Sequence, residues 1–343
     1  MIEMIKKIRK TMLTILCLII VCTLLFSCTN INENIKTNEL KETDTASINE
    51  TLIEEYTSFD NEEITLDSVE ESEHIINDNS GVSEERKVVY TEEEINYDVF
   101  APYATYSVIW DGKAKLYKID KNDPKYNGKT VTVNAGHGTK GGTKFKTFSH
   151  PDFTPKVSGG TTAAGSILST AVSDGTTLDS GMSEATANLV VAIALRDKLL
   201  SNGYSVLMIR EDNDCRFDNV ARTVIANENS DVHVAIHFDS TDTDKGIYFI
   251  TPYNDENYLN MEPLKSNVNN IRKLGKCIIN AFKEMGEKVW KDSGTLQGDL
   301  TQISYSTIPS VDIELGDKKT EITDEKVDIF AEGIKNGIND FFK

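Results

Sequence analysis

The segment Thr130-Val-Thr-Val-Asn-Ala-Gly-His-Gly138 is an apolar, β-branched run that ends in a histidine between two glycines. This composition predicts a buried strand over residues 130–135, because β-branched side chains pack well on a pleated surface. Ligands of open α/β sheets collect just beyond the carboxyl ends of strands, where His137 stands. The glycines let the backbone approach a bound group closely. A lone Gly-His-Gly is more often an ordinary turn, so His137 needs support from elsewhere in the chain.

Helical and extended patterns alternate after this segment. The first helix has Ser183 as its expected N-cap and Gly203 as its C-terminal stop. Alternation of this kind predicts an α/β domain over residues 129–343, with a mostly parallel sheet and helices on both faces. The other predicted strands are Tyr204–Ile209, Asp231–Phe238, Gly246–Thr251 and Ser310–Glu314, and the predicted helices are Ser183–Asn202, Asn219–Asn229, Pro263–Glu287 and Thr323–Phe342.

Two histidines share one face of the strand predicted over residues 231–238. His233 and His237 are four residues apart, which is about 13 Å along a strand, so one metal ion cannot bind both. Either of them, taken alone, is ordinarily a core residue. His237 stands nearer the carboxyl end, on the side of His137, and is therefore the predicted ligand.

Two glutamates complete the set of candidate site residues. Glu184 opens the first helix, where the helix dipole favours an ionised carboxylate in any case. Glu314 ends the strand Ser310–Glu314, with Asp312 on the same face, and a neighbouring like charge raises the pKa of a carboxyl group. A ligand has to be ionised, whereas a general base needs a raised pKa. We therefore predict that Glu184 binds metal and that Glu314 is the catalytic base.

These four residues match the requirements of a mononuclear zinc hydrolase. Catalytic zinc takes three protein ligands and keeps one open position. His137, Glu184 and His237 fill the three places, and Glu314 remains as the proton acceptor for an attacking water.

The acidity of the chain is concentrated in one segment. The formal charge is −19, and residues 29–99 carry 21 Asp and Glu against four Lys and Arg, which accounts for −17. This balance argues against nucleic acid as a partner. Residues 29–94 have few apolar side chains to bury, so we predict a disordered acidic linker. Residues 95–128 are rich in aromatics and are predicted to form a short hairpin around Asp111-Gly112 or the end of the linker.

The N-terminus has the pattern of a bacterial export signal. A basic stretch is followed by an uncharged apolar run over residues 11–27, too short for a typical membrane span, which predicts a signal over residues 1–28. Its end, Leu25-Phe-Ser-Cys28, resembles a lipobox, with Phe26 bulkier than usual. We expect Cys28 to carry lipid and to anchor the protein on the outer face of the cell membrane or in the cell wall. An ordinary signal peptide or an uncleaved anchor would also export the chain.

Residues 129–343 resemble the zinc-dependent N-acetylmuramoyl-L-alanine amidases that cut bacterial peptidoglycan. The resemblance is carried by the quoted segment 131–138 and, in the same order, by 183–195, 199–206, 220–227, 231–237 and 308–316. It implies a twisted six-stranded sheet, zinc on His137, Glu184 and His237, Glu314 as the catalytic carboxylate, and peptidoglycan as the substrate. The bond implied is the amide between N-acetylmuramic acid and L-alanine. A zinc peptidase of wall peptides and a non-catalytic wall-binding module remain as alternatives.

The chain departs from the family pattern in four places. Asn134-Ala135 replaces Asp-Pro, Ala235 and Asp239 replace Ser and Asn, and Asp317-Lys-Lys319 replaces the usual continuation after Gly316. The fourth departure is an insertion over residues 139–180, rich in Gly, Thr and Ser. A loop of this length is often a lid or a binding loop. We expect it to shape or gate the substrate groove, and we expect its shortening to change activity while zinc stays bound.

Overall fold

The computed structural model describes residues 88–343, so the predicted signal, the lipobox and most of the acidic linker lie outside the described residues. Within this part the chain forms ten strands and six helices, besides two short 3-10 turns. The strands are β1 (Tyr90–Ile95), β2 (Ala114–Ile119), β3 (Thr130–Ala135), β4 (Lys146–Phe148), β5 (Leu168–Thr170), β6 (Ser205–Met208), β7 (Val232–Asp239), β8 (Tyr248–Pro252), β9 (Thr295–Gly298) and β10 (Ser310–Asp317). The helices are α1 (Glu184–Ser201), α2 (Asn219–Asn229), α3 (Glu256–Asn260), α4 (Leu264–Glu284), α5 (Thr301–Ser304) and α6 (Asp324–Phe342).

The main sheet of the described residues has eight strands in the order β1-β2-β6-β3-β7-β10-β8-β9, and β4 and β5 form a separate pair. The four central strands, β6, β3, β7 and β10, run parallel. The predicted mixed α/β class with a mostly parallel sheet is confirmed. The predicted number of six strands is wrong for the sheet as a whole, because β1 and β2, which precede residue 129, add two strands to the six that residues 129–343 contribute.

Strand β1 lies inside the region predicted to be linker. Residues 90–94 pair with β2 in an antiparallel ladder, and the acidic side chains form cross-strand ion pairs, Glu94 with Lys113 at 2.7 Å and Glu92 with Lys115 at 2.9 Å. An edge strand with acidic, exposed side chains therefore has the same composition as the acidic linker before it, and the sequence does not distinguish the two. Strands β1 and β2 thus extend the main sheet with residues that precede position 129.

The predicted hairpin around Asp111-Gly112 does not form, because β2 pairs with β1 and β6 instead. The preceding residues are held elsewhere: the backbone N–H groups of Val108 and Ile109 donate to the buried Asp218 carboxylate. A side chain at position 112 would overlap the carbonyl of Cys215, so glycine is needed for this close approach.

The two faces of the sheet are covered by different helices. Side chains of Val131, Val133 and Ala135 pack into the core formed with α1, α4 and α6. The alternate residues of the central strands point to the other face, where α2 and α5 lie. Helix α1 begins as predicted, since the Ser183 side chain accepts a hydrogen bond from the Thr186 N–H at 3.2 Å. None of the helices found in residues 88–343 is long and apolar enough to cross a membrane.

Candidate metal centre

The carboxyl ends of β3, β7 and β10 bring three of the predicted site residues together. Glu314 is the register partner of His237 on the adjacent parallel strand, and His137 follows the end of β3 on the other side of β7. His137 has a backbone φ of 62°, which is uncommon for a residue other than glycine and often marks a functional site. Gly136 is required here, because a Cβ at this position would lie 2.1 Å from Cε1 of His237.

Helix α1 delivers the fourth predicted residue. Its first residue, Glu184, is almost fully buried and points Oε1 between the two imidazoles. Oε1 lies 2.8 Å from Nε2 of His137 and 3.0 Å from Nδ1 of His237, and the two nitrogens are 3.1 Å apart. The three predicted ligands therefore form one compact cluster.

This cluster fits zinc. Zinc bonds of about 2.0–2.2 Å in tetrahedral geometry place donor atoms about 3.3–3.5 Å apart, so the observed triangle has to widen by only a few tenths of an ångström. The donor set of two imidazoles and one carboxylate is also the chemistry that catalytic zinc prefers.

Outer hydrogen bonds fix the tautomer of His137. Its Nδ1 lies 2.7 Å from the carbonyl oxygen of Ser173, which can only accept, so this nitrogen carries the proton. Nε2, the other ring nitrogen, is the atom that faces Glu184 and His237. On the far side of His237, Nε2 lies 3.5 Å from Oδ2 of Asp312. Support of this kind is what orients histidine ligands in metal sites.

The two remaining ligand groups have strongly perturbed pKa values. Burial alone would raise the pKa of Glu184, but its contacts with His137 and His237 outweigh burial and lower it. Burial opposes the charged form of His237, yet the carboxylates of Asp312 and Glu184 raise its pKa to about 9. A cation is therefore favoured at this position.

Glu314 stands next to the cluster and lacks a partner of its own. Its Oε2 is buried without a hydrogen bond to any described residue. Burial raises the pKa of Glu314 well above its usual value. The positive charge of His237 opposes this shift, and the negative charges of Asp312 and Glu184 add to it. A carboxyl group with a raised pKa and a free oxygen is suited to accept and return a proton.

His233 lies outside the cluster. It is fully buried, and its nearest hydrogen-bonding group is the hydroxyl of Ser310, 3.3 Å from Nδ1. Burial and the positive charge of Arg222 lower the pKa of His233 to about 3, so the ring is neutral. The structure thus brings His237, and not His233, together with His137 and Glu184.

Two buried arginines hold the turn that carries His137, and they were missed by sequence reasoning. Arg210 donates to the carbonyls of Ala135 and Gly136, each at 2.9 Å. Arg222 donates to the carbonyls of Ala135 and His137. The sequence contains a signal for both, because each arginine stands in an apolar run. A guanidinium buried in such a run needs hydrogen-bond acceptors nearby.

Two of the residues that depart from the family pattern have hydrogen-bond partners in the structure. Asn134 accepts from Nη1 of Arg222 at 3.1 Å. Asp239, the last residue of β7, accepts from the hydroxyl of Tyr248 and from Nζ of Lys245. The site therefore keeps its ligands while the polar groups around them differ.

A cleft of about 710 Å³ opens over the cluster. The carboxyl ends of β3, β7 and β10 form its floor, and residues 156–176 of the insertion supply a wall. On another side lie Leu296, Leu300 and Thr301, from β9 and the start of α5.

Most of the described chain matches a known protein family. The family model described as N-acetylmuramoyl-L-alanine amidase matches residues 131–340. The chain belongs to this family. Its enzyme class is therefore N-acetylmuramoyl-L-alanine amidase, a peptidoglycan hydrolase.

Solved structures of amidases have the same fold. The apo form of the N-acetylmuramyl-L-alanine amidase Ami1 from Mycobacterium abscessus is 21% identical with a TM-score of 0.50, over 63% of this chain and 99% of that one. Ami1 from Mycobacterium smegmatis is 19% identical with a TM-score of 0.51, over 62% of this chain and 96% of that one. No curated protein sequence matches the chain significantly.

Proposed function

We propose that this amidase is zinc-dependent and hydrolyses the amide between the lactyl group of N-acetylmuramic acid and L-alanine. The observation that carries the proposal is the compact triangle of His137, Glu184 and His237 donor atoms beside the unpartnered carboxyl oxygen of Glu314. A purely structural zinc site would be closed by a fourth ligand, whereas this arrangement provides three ligands and a base.

The division of labour follows from the surroundings of each side chain. When bound, zinc supplies a Lewis acid for the water and the scissile carbonyl. His137, Glu184 and His237 would hold it, and the contacts that lower the pKa of Glu184 keep its carboxylate ionised. Glu314 removes a proton from the attacking water and returns it to the leaving nitrogen of L-alanine. Its raised pKa makes Glu314 a stronger proton acceptor than an exposed glutamate.

The decisive experiment is mass spectrometry of muropeptides after digestion of purified peptidoglycan. We expect stem peptides with new amino termini on L-alanine, no release in the presence of a chelator, and recovery on addition of zinc. The Glu314→Gln variant serves as the control for contaminating hydrolases. Cleavage inside the stem peptide would identify a wall peptidase instead, and binding without any release would identify a wall-binding module.

We also propose that the enzyme is exported and held at the membrane by lipid on Cys28. The support is the basic and apolar pattern of residues 1–28 and its lipobox-like end. Metabolic labelling with a fatty acid in a lipoprotein-forming host should label the wild-type chain but not Cys28→Ala. Labelling of neither chain, with both released to the medium, would point to an ordinary signal peptide.

A further inference from the structure

The last residues of the insertion touch two of the three proposed zinc ligands. Besides the Ser173 carbonyl, the Ser173 hydroxyl lies 3.1 Å from Nδ1 of His137. The N–H of Thr176 donates to Oε2 of Glu184 at 2.9 Å, and the N–H of Glu184 donates back to the Thr176 carbonyl at 2.9 Å. The insertion thus contributes backbone groups directly to the ligand set.

Gly175 packs directly against the side chains of His137 and Glu184. Its φ of 82° is in the left-handed region, and a Cβ there would lie 2.8 Å from Cδ2 of His137 and 2.9 Å from Oε2 of Glu184. Only a residue without a side chain can occupy this position without displacing one of the two ligands.

The middle of the insertion is fixed at another wall of the cleft. Asp299, a fully buried residue between β9 and α5, accepts from Nζ of Lys156 at 2.7 Å and from the N–H of Val157 at 2.6 Å. It also accepts from the Ser158 hydroxyl and lies 3.2 Å from Nε2 of His150. Because the insertion is held at two places, it has the character of a fixed wall and not of a free lid.

We infer that residues 173–176 are positioning residues that set the affinity of the site for zinc. They keep the His137 ring in the tautomer and orientation that a ligand needs, and they satisfy the Glu184 oxygen that faces away from the imidazoles. Mutation of a residue that hydrogen-bonds to a metal ligand typically lowers metal affinity by about 10–100-fold. This inference rests on the proposed zinc site, and it reverses the expectation from sequence that zinc binding is independent of the insertion.

The test compares two glycines of the insertion that have nearly the same positive φ angle. Gly165 has φ 84°, close to that of Gly175, but a Cβ there meets nothing within 4 Å. Both Gly175→Ala and Gly165→Ala therefore place an alanine at a strained positive φ, and only the former presses on the ligands. The zinc dissociation constant of each, measured by competition with a chromophoric chelator, should rise about tenfold or more for Gly175→Ala and stay at the wild-type value for Gly165→Ala.

The readout does not depend on turnover, so failure of the inference and failure of the proposed function can be told apart. Equal zinc affinities of the two glycine variants, in a wild type that binds zinc, would overturn the inference alone. A wild type that binds no zinc would overturn the proposed zinc site. If Gly175→Ala does not fold, Ser173→Ala replaces it, with Ser166→Ala as its control in the same insertion. A raised dissociation constant for Ser173→Ala only supports the inference, and equal constants contradict it.

Discussion

The sheet edge and the insertion reach the metal centre in different ways. The sheet contributes side chains from the ends of adjacent strands, such as His237 and Glu314, which are register partners on β7 and β10. The insertion contributes mainly backbone groups, the carbonyl of Ser173 and the N–H of Thr176. The sheet therefore determines the chemistry of the site, whereas the insertion determines the orientation in which the ligands are held.

This difference gives the two regions different sensitivities to mutation. Replacement of a strand-end side chain removes a functional group, and nothing else in the cluster can supply it. Apart from the Ser173 hydroxyl, which itself contacts Nδ1 of His137, a side chain of the insertion can be replaced while the backbone groups that touch the ligands stay in place, unless the backbone is forced to move. The predictions below separate the two regions, from the largest effect to the smallest.

The largest effect is expected from the two histidine ligands. His137→Ala and His237→Ala should each lower the zinc affinity by more than the roughly 10–100-fold that is typical for loss of an outer partner of a ligand. Both variants should lose hydrolysis together with zinc. His233→Ala should keep zinc, since His233 lies outside the cluster and its loss creates only a buried cavity. Zinc content after gel filtration and the thermal unfolding temperature measure both properties. A zinc-free His233→Ala that is otherwise folded would show that the wrong histidine has been assigned.

The two glutamates should differ in kind. Glu314→Gln should bind zinc nearly as well as the wild type and lose about 10²-fold or more in rate, the usual worth of a general base. Glu184→Gln should instead weaken zinc binding, with partial recovery of activity in excess zinc. The comparison requires zinc affinity and the initial rate of peptidoglycan hydrolysis for both variants. A zinc-free Glu314→Gln, or one with most of its activity, would contradict this division of roles.

Zinc binding should strengthen with rising pH. The pKa of His237 is raised to about 9 in the protein without metal, so zinc has to displace a proton at any lower pH. Apparent affinity should therefore improve about tenfold per pH unit up to about pH 9 and level off above it. Calorimetric titrations at about pH 6, 7 and 8, in buffers with different ionisation heats, count the released proton. An affinity that does not change over this range would mean that zinc binding does not displace a proton from His237.

The same pKa shift predicts the opposite trend for the chelated protein. A histidine with a raised folded-state pKa stabilises the fold fully below its unfolded pKa of about 6.5, and this contribution is lost as pH rises toward about 9. The free energy of unfolding in chelator should therefore decline across this window, because the His237 imidazolium no longer pairs with Glu184 and Asp312.

The contrast between the two regions also explains what the sequence could reveal. The strand β3 and the helix α2 (Asn219–Asn229) were predicted with their observed bounds, because periodicity and capping residues are local signals. The proximity of His137 and His237 was predicted from the rule that parallel strands present their carboxyl ends at one edge, whereas Glu184 was predicted from its place at a helix start and from the family resemblance. The contact of Gly175 with Glu184 left no such trace, because it depends on the path of an irregular chain and on backbone groups that every residue has.

The smallest effect is expected at Asp299, which holds the insertion far from the ligands. Burial alone would raise the pKa of Asp299, but hydrogen bonds from His150, Lys156 and Ser158 outweigh burial and lower it. A depressed carboxyl pKa stabilises the fold above its unfolded value of about 3.9, and this contribution is lost as pH falls below that value. Asp299→Asn removes the charge but keeps the shape, so the insertion should loosen without unfolding of the sheet.

The expected outcome for Asp299→Asn is faster protease cleavage within residues 158–166 and an increase in KM of about threefold, in the range of coupling between distant parts of one structure. Zinc content should be unchanged, because residues 173–176 keep their own contacts with His137 and Glu184. Asp292→Asn, at an exposed residue just before β9, is the matched control. Loss of zinc from Asp299→Asn would mean that both anchors of the insertion act as one unit. Wild-type KM and protease resistance would mean that the contacts of Asp299 do not fix the wall of the cleft.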